Sequence, residues 1–321
     1  MRRPLAFLAI ALALPAIAHA DPLDLDLTRL GAPDAAVRLR LPTSSGGALD
    51  QATADRLAGD SRQRFALLAS QLGLALDGFV LAPAPTTGYS GVELSVETGY
   101  APAHATAIGD PGATSNEWAV RGRTPTGLVL PAFHVRKGLP FGLEVGGRAI
   151  YVSQSSMVAG QAEAKWAFLE GVWYWPELAV RVSATRLFGA SGLSLTTASG
   201  DLLVSKRIPL AGVMALQPYG AFRATMLRAS SDRMVFGPVT AGTDPATADA
   251  NQGASFPTLA FHDHLFLRAA AGLRLTSGPF LLAAEGEYLP ARTFTGAASS
   301  GGRNFTVPAT FYGAGKVGFE F

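Results

Sequence analysis

Thr310-Phe-Tyr-Gly-Ala-Gly-Lys-Val-Gly-Phe-Glu-Phe321 is the stretch that decides the fold. Phe311, Gly313, Gly315, Val317, Phe319 and Phe321 fall on alternate positions and are all apolar or small. Tyr312, Ala314, Lys316, Gly318 and Glu320 occupy the other set and hold both charges. A β-strand sends successive side chains to opposite faces, so the spacing predicts a strand with one apolar face and one charged face. Rings stand at both ends of the apolar face.

Working outward from this strand, the same construction recurs. Phe141, Leu143, Val145, Gly147, Ala149 and Tyr151 oppose Glu144, Gly146 and Arg148; Phe280, Leu282, Ala284, Gly286 and Tyr288 oppose Ala283, Glu285 and Glu287. Val92, Leu94, Val96 and Tyr100 oppose Glu93, Ser95 and Glu97. The period predicts about ten strands near 91–100, 128–136, 141–152, 158–169, 177–188, 193–205, 212–227, 264–275, 280–289 and 309–321. A length of nine to eleven residues with a ring at each end suits a tilted strand crossing a bilayer. A register slip is expected near Thr196-Thr197, and a bulge at Pro218.

The connections sort by parity. The even-numbered ones, at 137–140, 170–176, 206–211 and 276–279, are short. The three long ones, near 101–127, 229–263 and 290–308, are all odd. Membrane barrels show this asymmetry, with short periplasmic turns and long external loops. The fold class expected is therefore all-β, a closed antiparallel transmembrane β-barrel of about ten strands spanning 88–321, with an N-terminal periplasmic helix. Both termini are expected in the periplasm.

Residues 1–20 read as a secretory signal: Arg2 and Arg3, an apolar run from Leu5 to Ile17, and Ala18-His19-Ala20 as the cleavage site. Lys+Arg number 26 and Asp+Glu 24 in the whole chain. Removing the two arginines of the signal leaves 24 against 24, so no bulk charge points to nucleic acid. Cysteine is absent, which excludes disulfides, thiolate metal sites and a Cys nucleophile. Residues 21–87 read as a periplasmic leader. It is irregular to Gly59 and then helical over 60–79, with Phe65, Leu68, Leu72 and Leu76 on one face. The plainer reading packs this helix on the barrel, and the sharper one places it inside as a plug.

The charged face predicts a lumen lined by Glu93, Glu97, His134, Arg136, Glu144, Arg148, Glu163, Lys165, Arg181, Arg268, Arg274, Glu285 and Glu287. Both signs are mixed, so these groups either tune an open pore or fill a narrow one with ion pairs. A four-residue turn at 276–279 would set Arg268 opposite Glu287. A five-residue turn at 137–141 would set His134 opposite Glu144. Trp173, Tyr174 and Trp175 are expected to anchor the inner interface. His262-Asp263-His264 is the one dense constellation: two histidines at i and i+2 on a strand share a face and suit a metal, while a solvated loop junction is the plainer reading. No metal, cofactor or catalytic residue set is otherwise indicated.

A strand ending Phe319-Glu-Phe321 resembles the closing strand of Gram-negative outer-membrane β-barrels. Asp21-Pro-Leu-Asp-Leu-Asp, Leu81-Ala-Pro-Ala-Pro-Thr-Thr-Gly-Tyr and His134-Val-Arg-Lys-Gly-Leu-Pro-Phe-Gly resemble phrases of uncharacterised myxobacterial-type barrels. The resemblance implies residence in the outer membrane, lipid against the apolar faces, and barrel assembly machinery that reads the last strand. It implies no activity. The function expected is a small channel or transporter. The alternative is a closed structural or surface-interaction barrel, with an external-face hydrolase third.

Overall fold

The computed structural model describes residues 21–41, 49–104, 118–120, 122, 125–171, 175–210, 212–238, 243–296, 300 and 303–321. The signal segment, the Ser44–Gly47 run and the ring pair Trp173 and Tyr174 lie outside the described residues.

Ten long strands form the wall: β1 (Val92–Pro102), β2 (Gly127–Leu139), β3 (Leu143–Tyr151), β4 (Val158–Leu169), β5 (Glu177–Phe188), β6 (Leu193–Ser205), β7 (Met214–Ser231), β8 (Leu265–Ser277), β9 (Phe280–Leu289) and β10 (Thr310–Glu320). Each pairs antiparallel with its neighbours in sequence, and β10 pairs with β1 from Glu93↔Glu320 to Tyr100↔Gly313, which closes the barrel. Closure leaves the long strands no free edge. The connections at one end are short, Pro140–Gly142 and Gly278-Pro279 among them, and the connections of 24 (103–126), 33 (232–264) and 20 (290–309) residues lie at the other.

Two register expectations change. The β8–β9 turn needs only Gly278, at φ +56°, and Pro279, so Ala270 faces Glu287 and Gly272 faces Glu285. Across the tight 3-10 turn at Pro140–Gly142, His134 faces Arg148 rather than Glu144. Ladder pairing of β6 with β7 runs without a break from Leu193↔Ser231 to Ser205↔Tyr219, so Thr196-Thr197 carries no slip and Pro218 no bulge. The shift falls instead at Ala167/Leu169 between β4 and β5. Pro218 is tolerated because it lies one residue past the end of the β6 ladder at Ser205↔Tyr219: its carbonyl accepts from Lys206 N at 3.2 Å on that side, so its missing N–H removes no ladder bond to β8.

The outer wall follows the sequence alternation. Val96, Phe133, Val182, Phe222, Leu282, Val317 and Phe319 are exposed on it. The interior is graded. Toward the long connections it is apolar, with Leu128, Leu130, Ile150, Leu187, Leu195, Leu227, Phe266 and Leu289 all buried. Toward the short turns it is ionic.

The leader enters from the apolar end. A short helix, α1 (Ala35–Arg40), precedes the long helix α2 (Gln51–Leu76), which starts nine residues before the expected one. Asp50 caps α2 by accepting from Thr53 N at 2.8 Å, and that bond holds its carboxyl below the ordinary range. The segment before α2 hydrogen-bonds to the long-connection end: Leu23 N donates to Gln154 O at 3.0 Å and Ser156 N to Asp24 Oδ1 at 2.7 Å. Within α2, Gln63 donates to Asn304 O at 2.6 Å and Asp60 pairs with Arg303. Phe65 stacks on Phe256 with ring centres 4.6 Å apart. The expected leader on the short-turn side, opposite the long loops, is thereby corrected: leader and long loops share one end. Leu23, Leu25, Leu27 and Leu30 are buried there, in the same apolar cluster as Leu128, Leu130 and Ile150.

Candidate functional site: the filled lumen

From its cap, α2 descends into the barrel. At Gly73 a Cβ would collide with the Leu227 side chain, so glycine lets the helix lie against β7. Helix α2 ends at Asp77, and Gly78, at φ +72°, turns the chain into an extended run. Residues 78–87 then thread the lumen to the short-turn rim, where β1 begins.

Asp77 is fully buried and is the hub of the interior. It pairs with Arg268 and, at 3.5 Å, with Arg223, and it accepts from Ser199 at 2.6 Å, Thr225 at 2.9 Å and Thr197 at 3.2 Å. The carboxylate of Glu285 accepts from Val80 N at 3.0 Å, Leu81 N at 2.6 Å and Tyr219 Oη at 2.8 Å. Lower down, Ala84 N donates to Ser205 Oγ at 3.1 Å, Lys165 to Pro85 O at 2.8 Å, and Thr87 N to Glu144 Oε2 at 2.9 Å. An extended chain cannot satisfy its own backbone groups, and here wall side chains do it.

All thirteen residues expected to line the lumen point inward; twelve of them meet one another, while Glu285 holds the threaded backbone and Tyr219 instead. Arg274 joins Glu320 to Glu93; Glu93 also takes Arg136 and, at 2.7 Å, Lys316. Arg136 and Lys165 share Glu144 at 2.8 and 3.0 Å. His134 sits between Glu97 at 2.9 Å and Glu163 at 3.2 Å, with Arg148 on Glu97 at 2.7 Å. Arg181 bridges Glu163 at 2.9 Å and Asp201 at 2.7 Å, and Arg223 continues to Asp201 at 2.5 Å. Arg268 closes on Glu287 at 2.7 Å, a diagonal contact that survives the changed register. Buried ions must be paired in this way, because an unpaired one loses its hydration without return.

Sequence reasoning missed Asp77, Asp201, Arg223 and Tyr219. Arg223 and Asp201 lie at inward parity on β7 and β6, a signal hidden by the expected slip and bulge. Asp77 falls inside the helix expected over 60–79, whose period carries no sign of a partner. Beside Phe79, a void lined by Gly99 and Ile150 measures about 10 Å³, the room of roughly one water. At the short-turn rim a polar recess of about 420 Å³ is lined by Pro85, Thr86 and Thr87 together with Arg274 and Glu320.

The histidine constellation does not converge. His262 is 81% exposed and pairs with its neighbour Asp263 at 3.1 Å. His264 is buried against Phe294 and Phe305, with ring centres at 5.1 and 6.0 Å, and burial pushes its pKa down. No group of three or more metal-binding side chains occurs among the described residues. Trp175 is 65% exposed at the short-turn end.

No described protein family and no curated protein matches the chain. Among solved structures, the translocator domain of the autotransporter NalP from Neisseria meningitidis aligns at 13% identity, covering 82% of this chain and 97% of that one, with a TM-score of 0.36. Ail, the attachment invasion locus protein of Yersinia pestis, aligns at 12% identity over 73% of this chain and 100% of its own, TM-score 0.26. Neisserial surface protein A aligns at 10% identity over 71% and 95%, TM-score 0.27. At these scores the likenesses add nothing to the strand pairing, and they do not bear on the myxobacterial resemblance.

Proposed function

We propose that the chain is an outer-membrane β-barrel closed at rest by its own leader, acting as a structural or surface-interaction barrel through its long-loop end. One observation carries this reading: the wall is apolar outside, while the inside is filled by α2 among apolar side chains and then threaded by residues 78–87 among ion pairs. An apolar outer face over ten antiparallel strands suits lipid, and charged lumen positions alternating with it suit a membrane barrel. Short turns toward the periplasm would set α2 and the long loops outside the cell. The last strand, ending in Phe321, suits capture by barrel assembly machinery, and the reading assigns no catalysis. Passage of small solutes, the function expected from the lumen charges, would require the threaded segment to leave and its partners to lose their ion pairs.

Two measurements on the intact chain test the proposal. The protein has no cysteine, so Asp55→Cys, at an exposed position near the start of α2, gives a single label site. A membrane-impermeant maleimide added to whole cells is expected to label it; labelling only after cell breakage would overturn the orientation. Purified protein in planar bilayers is expected to pass no current, and reproducible conductance steps would overturn the closed reading.

A further inference from the structure

The outward faces of the ten strands carry charge only at Lys137, Arg186 and Arg228. Lys137 lies at the short-turn end and donates to Ser90 O at 2.6 Å. The two arginines stand together at the other end. Arg186 on β5 is the register partner of Thr196 on β6, and Thr196 is the partner of Arg228 on β7. Adjacent strands are about 4.8 Å apart, so the two arginine Cα atoms flank Thr196 at a separation of roughly 10 Å. Arginine side chains are long enough for both guanidinium groups to reach one anion between them.

The height of this row is fixed by its neighbours. Toward the short turns, the next outward row is Ala184, Ala198 and Met226, again register partners, and the outward residues below it on the three strands are apolar throughout. Toward the long loops come Phe188, Ser194 and Ser230. The arginines therefore mark the upper edge of the apolar band, where a bilayer changes from acyl chains to head groups. Hydroxyls fill the space between them. Arg186 donates to Thr196 Oγ1 at 3.0 Å and to Ser194 Oγ at 3.1 Å, while Arg228 makes no hydrogen bond or ion pair among the described residues. No carboxylate shares the outward face of β5, β6 or β7. Two cations thus stand on a lipid-facing wall with hydroxyls between them and no acid on the same face.

We infer that Arg186 and Arg228, with Ser194, Thr196 and Ser230, bind the phosphate of an anionic outer-leaflet lipid. Guanidinium groups match phosphate oxygens bidentately, and the apolar row beneath would receive the acyl chains. The inference rests on the outer-membrane reading above.

The test uses the full chain in nanodiscs of zwitterionic phosphatidylcholine, with or without a trace of a doubly phosphorylated lipid A. Native mass spectrometry after release counts retained lipid A. Wild type is expected to retain it, each of Arg186→Gln and Arg228→Gln to weaken retention at least tenfold, and the double variant to abolish it. Control Arg56→Gln, on helix α2, is expected to behave as wild type. Dephosphorylated lipid A should not be retained, and millimolar inorganic phosphate should not displace the phosphorylated lipid; displacement would mean a free-anion site and overturn the lipid assignment. Equal retention by wild type and a double variant with unchanged heat-shifted mobility would overturn the site while leaving the membrane reading intact. Failure of wild type to enter the discs would overturn both.

Discussion

Replacing Asp77 by alanine is expected to cost more than any other single change in the lumen. The side chain is wholly buried and meets two guanidinium groups and three hydroxyls. Alanine removes the carboxylate that Arg268 and Arg223 share with the three hydroxyls, leaving Arg268 with Glu287 alone and the hydroxyls of Ser199, Thr225 and Thr197 without their common acceptor. Breaking a buried pair from one side costs about 3–5 kcal/mol. At about 1.4 kcal/mol per tenfold, the unfolding constant should rise by roughly two to four decades. Asp77→Asn keeps an acceptor for the hydroxyls and should lose less. The double variant Asp77→Ala/Arg268→Leu removes both charges and should be more stable than the sum of its parts by about 0.5–3 kcal/mol. Equilibrium unfolding by urea from lipid vesicles, followed by tryptophan emission, gives all four values. A single variant within about 0.5 kcal/mol of wild type, or a strictly additive double, would refute the view that Asp77 latches the threaded segment.

Three further outcomes follow from the same contacts. Gly78→Ala forces a side chain into a left-handed conformation beside Arg148 and should cost at least about 1–2 kcal/mol in the same urea assay. Phe65→Ala empties a fully buried site against Phe256 and should cost about 3–5 kcal/mol, with earlier trypsin cleavage in α2 as a second readout. Burial lowers the pKa of His264, so the unfolded chain binds more protons than the folded one below its ordinary value near about 6.5. Stability should be full above that pH and fall as pH drops below it; His264→Phe should flatten this part of the urea-midpoint profile between pH 7.5 and 5, and an unchanged slope would exclude the contribution.

Much of the wall is legible in the sequence because a strand's period is local. Phe311 and Lys316 announce opposite faces without reference to any other segment, and the same rule turns Glu93, Arg136, Glu144 and Arg181 inward. Connection lengths then separate the two ends of the barrel. Register is less legible, since it depends on how few residues a turn can use: Gly278 and Pro279 suffice where four residues seemed needed, and every pairing on β8 and β9 shifts.

Alternation along each strand is enough to assign an apolar exterior and an inward face that carries the charges, because it decides which atoms face which solvent. How the interior is filled depends on contacts between distant segments. Leu130, Leu187, Leu227 and Leu289 become an apolar chamber only when strands from around the ring are brought together, and the chamber holds α2 at the long-loop end. Asp77 becomes a latch only once Ser199, Thr225 and Arg268, each more than a hundred residues away in the chain, surround it. Such contacts depend on closure of the ring, and no local period in the chain encodes them.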